Sequence, residues 1–164
     1  VSWFCAQCGK SHDGLPALAY SAPAVWAWAT EEERNRDFRL TTDFCYWKGE
    51  HFFIRCALEI PYTDRPGTFD FGVWSTLSND NMSRYVSTYG STKQSHLGQM
   101  FGWFSNQLPD YPDTLNLKCQ VSPRDDGLRP FIELERSDHP LAVQQREGIS
   151  FDAAATYAHA HMKF

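Results

Sequence analysis

The chain has 164 residues, 42% of them hydrophobic and 15% aromatic, which supplies apolar area for a sizeable core and excludes intrinsic disorder. Fifteen Lys and Arg stand against 20 Asp and Glu, and the resulting charge of −5 argues against a phosphate-backbone partner, so no nucleic acid is expected. No apolar run approaches the roughly 20 residues of a membrane span, so no membrane partner is expected either.

The length suits one domain over residues 1–164, with residues 1–23 as a Cys-rich loop segment within it. Val1-Ser2-Trp3-Phe4-Cys5 lacks the charged and apolar regions of a signal peptide. Five unevenly spaced cysteines do not form a paired disulfide pattern. Both observations point to the cytoplasm.

In chain order, Gly9, Gly14, Pro16 and Pro23 mark the first segment as loop. Thr30-Glu31-Glu32-Glu33 reads as a capping box, opening a short polar helix to about Phe38. Lys48-Gly49-Glu50 supplies a turn between Asp43–Trp47 and a strand over Glu50–Ile60. That strand alternates Phe52, Ile54, Cys56, Leu58 and Ile60 against His51, Arg55 and Glu59. Phe69, Phe71, Val73, Ser75 and Leu77 form the next alternating set, with Asp70, Trp74 and Thr76 opposite. Helices are predicted over Asn79–Tyr89 and Gly98–Leu108, the second from its Phe101/Phe104/Leu108 stripe. Leu115, Leu117, Cys119 and Val121 predict a strand, and Ile132 and Leu134 another. Pro140 and Gly148 bound a short helix, which Asp138 can cap, and Ser150 caps a last one with a Phe151/Ala154/Ala155/Ala158/Met162 stripe. The expectation is α+β: a mainly antiparallel sheet with helices packed on one face, and a zinc-ribbon-like N-terminal loop.

Cys5-Ala6-Gln7-Cys8-Gly9 carries the sharpest chemistry. Two cysteines separated by two residues can hold one tetrahedral zinc, and Gly9 lets backbone amides turn toward the thiolates. One pair is half a site. His12 is near enough to be a third ligand, and Cys45, Cys56 and Cys119 compete for the fourth position. Cys56 and Cys119 fall in the apolar register of strands, which leaves Cys45 preferred. The expected metal site is therefore Cys5, Cys8, His12 and Cys45, with zinc as a structural cofactor. Asp138-His139 offers an enzymatic alternative, although neighbouring side chains seldom orient each other as a catalytic pair must. Arg55, Glu59, Trp74 and Glu133 share the non-core register of their strands. An aromatic among charges of both signs there suggests a binding surface for a protein partner or ligand.

The chain resembles a family of small bacterial proteins designated domain of unknown function 2199. The resemblance rests on Cys5-Ala-Gln-Cys8-Gly-Lys-Ser-His12, Asp43-Phe-Cys45, Glu50-His-Phe-Phe-Ile-Arg55 and Gly72-Val-Trp74-Ser-Thr-Leu-Ser78. It continues through Phe101-Gly-Trp103, Leu108-Pro-Asp-Tyr-Pro-Asp-Thr-Leu-Asn-Leu-Lys118, Asp138-His-Pro-Leu-Ala142 and Gln145-Arg-Glu-Gly-Ile149. The blocks span nearly the whole chain in order. The resemblance implies a single-domain architecture, places Cys5, Cys8, His12 and Cys45 at motif positions, and brings no assigned activity. The family pattern has Gly after the strand Arg where this chain has Cys56, which weakens Cys56 as a ligand. The function expected from the sequence is a zinc-stabilised binding or adaptor domain. The alternative is an enzyme on the polar sheet face or around His139.

Overall fold

The computed structural model describes residues 2–162. Its frame is a long hairpin of β6 (His51–Pro61) and β7 (Thr68–Leu77), paired from Phe52↔Leu77 to Pro61↔Thr68. Strict alternation buries Ile54, Cys56, Leu58 and Ile60 beside Phe69, Phe71, Val73 and Leu77 on one face. A large apolar side chain fully buried in this way contributes about 1.5–3 kcal/mol.

β5 (Phe44–Trp47) pairs antiparallel with the first part of β6, and β4 (Phe38–Leu40) lies outside β5. On the same side of β6, but further along, sits β10 (Phe131–Leu134), parallel to it through Phe131↔Ala57. β6 thus changes neighbour: the Arg55 amide donates to Asp43 O, and the Ala57 amide donates to Pro130 O. β9 (Lys118–Ser122) and β8 (Met100–Trp103) continue the sheet antiparallel. β8 then approaches the far side of β7. Ser75 bridges Phe104, the Ser105 amide donates to Trp74 O, and the Trp103 amide donates to Thr76 Oγ1 at 2.9 Å. The sheet therefore curls until its two ends meet. Contact this close requires Gly102, because a Cβ there would sit 2.1 Å from Ser75 Oγ.

The helices are α1 (Ala24–Trp28), α2 (Glu31–Asp37), α3 (Asn79–Thr88), α4 (Pro140–Glu147) and α5 (Phe151–His161). α3 delivers Met82 and Tyr85 to the main core, α4 Leu141 and Ala142, and α5 Ala154 and Ala158. The fold is α+β, with a mostly antiparallel sheet and these three helices contributing to one core. The capping box at Thr30 is complete: Glu33 N donates to Thr30 Oγ1 at 3.1 Å and Thr30 N donates to Glu33 Oε2 at 3.0 Å. Because α2 buries no residue, Thr30→Ala should cost about 0.5–2 kcal/mol locally. The expected readout is faster amide exchange at Glu33 and Arg34 with the global unfolding midpoint nearly unchanged.

Several sequence expectations are corrected. Residues 2–13 are a hairpin, β1 (Ser2–Cys5) and β2 (Lys10–Asp13), rather than loop, and β3 (Leu18–Ala19) pairs parallel with β7. The segment expected as a helix over residues 98–108 contains β8 instead, with Met100 and Gly102 inward and Phe101 and Trp103 outward. Its strand partner β9 satisfies the backbone and overrides the helical spacing. β9 itself starts at Lys118, so Leu115 and Leu117 precede the strand, and Leu117 packs on the core from there. Among the described residues, no helix is long and apolar enough to cross a membrane.

Candidate metal centre and the second sheet face

Cys5 ends β1, Cys8 lies in the turn and His12 sits on β2 opposite Trp3. The turn is closed by the Gly9 amide donating to Cys5 O at 2.8 Å, and Gly9 takes φ of 70°, in the left-handed region that favours glycine. A two-residue spacer plus a tight turn folds both thiols back over the hairpin. The ligand atoms of Cys5, Cys8 and His12 all lie within 4.8 Å of one another, and Cys8 Sγ is 3.1 Å from His12 Nε2. Tetrahedral zinc with bonds of about 2.0–2.3 Å needs ligand atoms about 3.5–3.8 Å apart, which this cluster can meet by small side-chain rotations. Among the described residues no fourth Cys, His or carboxylate joins the three.

Cys5 is buried, and burial alone would raise its pKa. Hydrogen bonds from the backbones of Cys8 and Gln7 and from the Cys8 side chain outweigh that, so the thiol titrates below its ordinary value. The hairpin is anchored around the cluster. Trp3 Nε1 donates to Gly14 O at 2.9 Å, and its ring lies 5.4 Å from His12 and 5.2 Å from Phe151 of α5. Gln7 Nε2 donates to Thr156 Oγ1 at 3.2 Å, a second link to α5.

The structure does not bring Cys45 to this cluster. It lies on β5 opposite Phe53, fully buried with Phe53 and Trp74 in a second, smaller core. Burial pushes its thiol up to about 12, the opposite of what a thiolate ligand needs. Cys119 is pushed up to about 11 by burial, partly offset by Ser75 Oγ 3.3 Å away, and Cys56 is raised further by full burial and Cys119. These are packing thiols.

Trp74 corrects the expected binding surface. Its side chain is 0% exposed, covered by residues from the N-terminal segment, among them Tyr20 and Val25. The indole Nε1 donates to Tyr20 O at 2.9 Å. Its backbone amide donates to Asn106 Oδ1, and Asn106 Nδ2 donates to Ala22 O, which ties the covering segment down. Part of the second sheet face is therefore core. Arg55 is half-buried, Glu59 half-buried and Glu133 exposed. Burial and the nearby Asp70 raise the Glu59 pKa, with Arg124 opposing them. The outward aromatics missed by the sequence reading are Phe101 and Trp103 on β8, in edge-to-face contact, and Phe131 on β10.

His139, the seat of the enzymatic alternative, has both ring nitrogens engaged by backbone. Nδ1 accepts from the Leu141 amide at 3.1 Å, making His139 rather than Asp138 the cap of α4. That fixes the proton on Nε2, which donates to Asp113 O at 3.0 Å and approaches Pro112 O at 3.3 Å. A ring held this way locks a loop and offers no free base.

No curated protein and no solved structure matches the chain. The family model described as "Uncharacterized protein conserved in bacteria (DUF2199)" matches residues 4–149, a span that includes Cys5, Cys8, His12, the whole sheet from β3 to β10 and the cap of α4. The chain belongs to that family.

Proposed function

We propose that the protein is a zinc-stabilised binding domain, acting on a protein partner or a ligand, with Cys5, Cys8 and His12 as three ligands of one zinc. The observation that carries this reading is the convergence of the three ligand atoms within 4.8 Å at a tight hairpin turn. The residue types suit zinc: two soft thiolates and an imidazole. Solvent or a group from a bound partner supplies the fourth position. The metal's task is structural, because the hairpin it closes is anchored on α5 through Trp3 and Gln7 and has little apolar area of its own; Phe4 is 67% exposed. Both ring nitrogens of His139 are held by backbone groups, which counts against an enzymatic site at that residue.

Elemental analysis of untagged protein should find one zinc per chain, and Cys8→Ser should lower that content sharply. Chelation should speed amide exchange in residues 2–13 while leaving β6 and β7 protected, since metal binding and local folding are linked. Zinc well below one per chain in protein purified without chelator would overturn the metal assignment.

A further inference from the structure

The place where β6 changes neighbour is also where the chain gathers positive charge. Asp43 precedes β5 and Arg129 precedes β10, so the two strands leaving β6 carry them to either side of a gap beside Arg55. The gap adjoins a cavity of about 530 Å³ lined by Asp43, Tyr85, Tyr89, Gln94, Leu128 and Arg129, within the range of small-molecule sites.

Arg129 Nε donates to Asp43 Oδ1 at 2.9 Å, and the Tyr89 hydroxyl donates to Oδ2 at 3.0 Å. Both oxygens of the one carboxylate are thus engaged. Arg129 uses only Nε, and its two terminal nitrogens have no partner among the described residues. Arg55 Nε is sealed from solvent and has no hydrogen-bond partner among the described residues, while Nη1 makes a long 3.4 Å contact with Thr42 O. Burial, and next the Arg129 charge, disfavour protonated Arg55, with Asp43 opposing them. A third cation stands nearby: Arg124 Nε donates to Arg129 O at 2.6 Å, and its guanidinium lies over Phe131 at 3.8 Å. Asp125 stays ionised but turns to the amides of Gln94 and Ser95, and the cation acting on it is Lys93. Glu59 acts on Arg124, so Asp43 is left to face both Arg55, whose Nε is sealed from water, and the more exposed Arg129.

We propose that this cleft binds a small molecule bearing an oxyanion, a carboxylate or a phosphate, on the open fork of Arg129, with its organic body against Tyr85, Tyr89 and Leu128. A guanidinium approached through its two terminal nitrogens matches an oxyanion bidentately, and Asp43 occupies only the third nitrogen. The bound anion neutralises the repulsion between Arg55 and Arg129. The inference specifies the ligand in the binding reading above and uses none of the metal-site residues.

The test is titration of the isotopically labelled whole chain with phenyl phosphate, benzoate, inorganic phosphate and uncharged benzyl alcohol, followed by amide shifts. Phenyl phosphate or benzoate should saturate shifts at Tyr89, Gly90 and Leu128, and benzyl alcohol should not. The stronger of the two names the anion class, and inorganic phosphate shows how much of the affinity is charge alone. Arg129→Gln should weaken binding roughly ten- to hundredfold, as expected for loss of hydrogen bonds to a charged group. Arg129→Lys should recover only part, because the charge returns without the fork. No saturation by any of the three anions at millimolar concentration overturns the proposal, as does saturation indifferent to Arg129→Gln. Arg129 is half-exposed, so these variants should keep the wild-type amide spectrum elsewhere. Zinc measured on the same samples separates the two ideas: anion binding by zinc-free protein upholds the cleft when the metal assignment fails.

Discussion

Trp74→Ala should destabilise the protein by about 3–5 kcal/mol, the usual cost of deleting a buried large aromatic. The indole is wholly enclosed, in contact with Cys45 and Phe53 and flanked by Tyr20, Val25, Phe38, Leu40 and Trp47. Little of that wall can collapse into the void, because Asn106 pins the covering segment through Ala22 O and pins β7 through the Trp74 amide. The substitution also leaves Tyr20 O without the indole donor 2.9 Å away. For a chain of this length the melting temperature should fall by about 6–20 °C. Urea unfolding of the variant gives the free energy directly. An unchanged midpoint would mean that the smaller core melts independently of the larger one.

Gly102→Ala should cost at least the ~1–3 kcal/mol typical of overpacking. An added Cβ would lie 2.1 Å from Ser75 Oγ and 2.4 Å from Thr76 O. The hydroxyl can rotate away at the expense of its contacts with Thr76 O and Cys119 Sγ. The carbonyl cannot, so β8 must retreat from β7. Relief of the clash therefore breaks the bonds that join the curled sheet, those from Trp103 N and Ser105 N. Amide exchange at these two positions should accelerate more than exchange along the β6–β7 pairing. Equal exchange in both places would show that β8 closes on β7 with room to spare.

The long hairpin was legible because two strands of ten or more residues each keep one apolar register from end to end, and a one-residue slip would expose every one of Ile54, Leu58, Phe71 and Val73. The helix caps at Thr30 and Ser150 were legible for an equally local reason. The N-terminal hairpin was not, since its strands have four residues each and Gly9 and Gly14 read as loop. Residues 98–108 were misread because a short apolar run fits both periods: Phe101, Phe104 and Leu108 sit at helical spacing, while Met100 and Gly102 alternate with Phe101 and Trp103. Only pairing with β9 decides between them.

At the site, Cys5, Cys8 and His12 could be found from local spacing. The place of Cys45 depends on register with Phe53 and so on tertiary structure. Phe53 was the overlooked signal, an apolar residue in the register assigned to the polar face, and Trp74 was the second. Arg129 was not singled out, because its meeting with Asp43 depends on two strands parting from β6 more than 80 residues apart in sequence, a separation of 86 positions.

The way β7 is bordered has a consequence for the protein in crowded solution. On one flank it meets β6; on the other, Phe71 and Gly72 meet β3, and Trp74 to Thr76 meet residues 103–105. A row of unpaired amides and carbonyls at a sheet edge is a template on which another chain can grow a strand. Here the outer flank of β7 is bordered from Phe71 to Thr76, and β4, an open edge of the main sheet, is only three residues long. The short hairpin of β1 and β2 is bent into the turn that gathers its cysteines. Exposed side chains such as Phe101 and Trp103 are then the larger handles for self-association of the folded protein, and strand growth on the β7 residues that meet 103–105 has to wait for the β7–β8 closure to open.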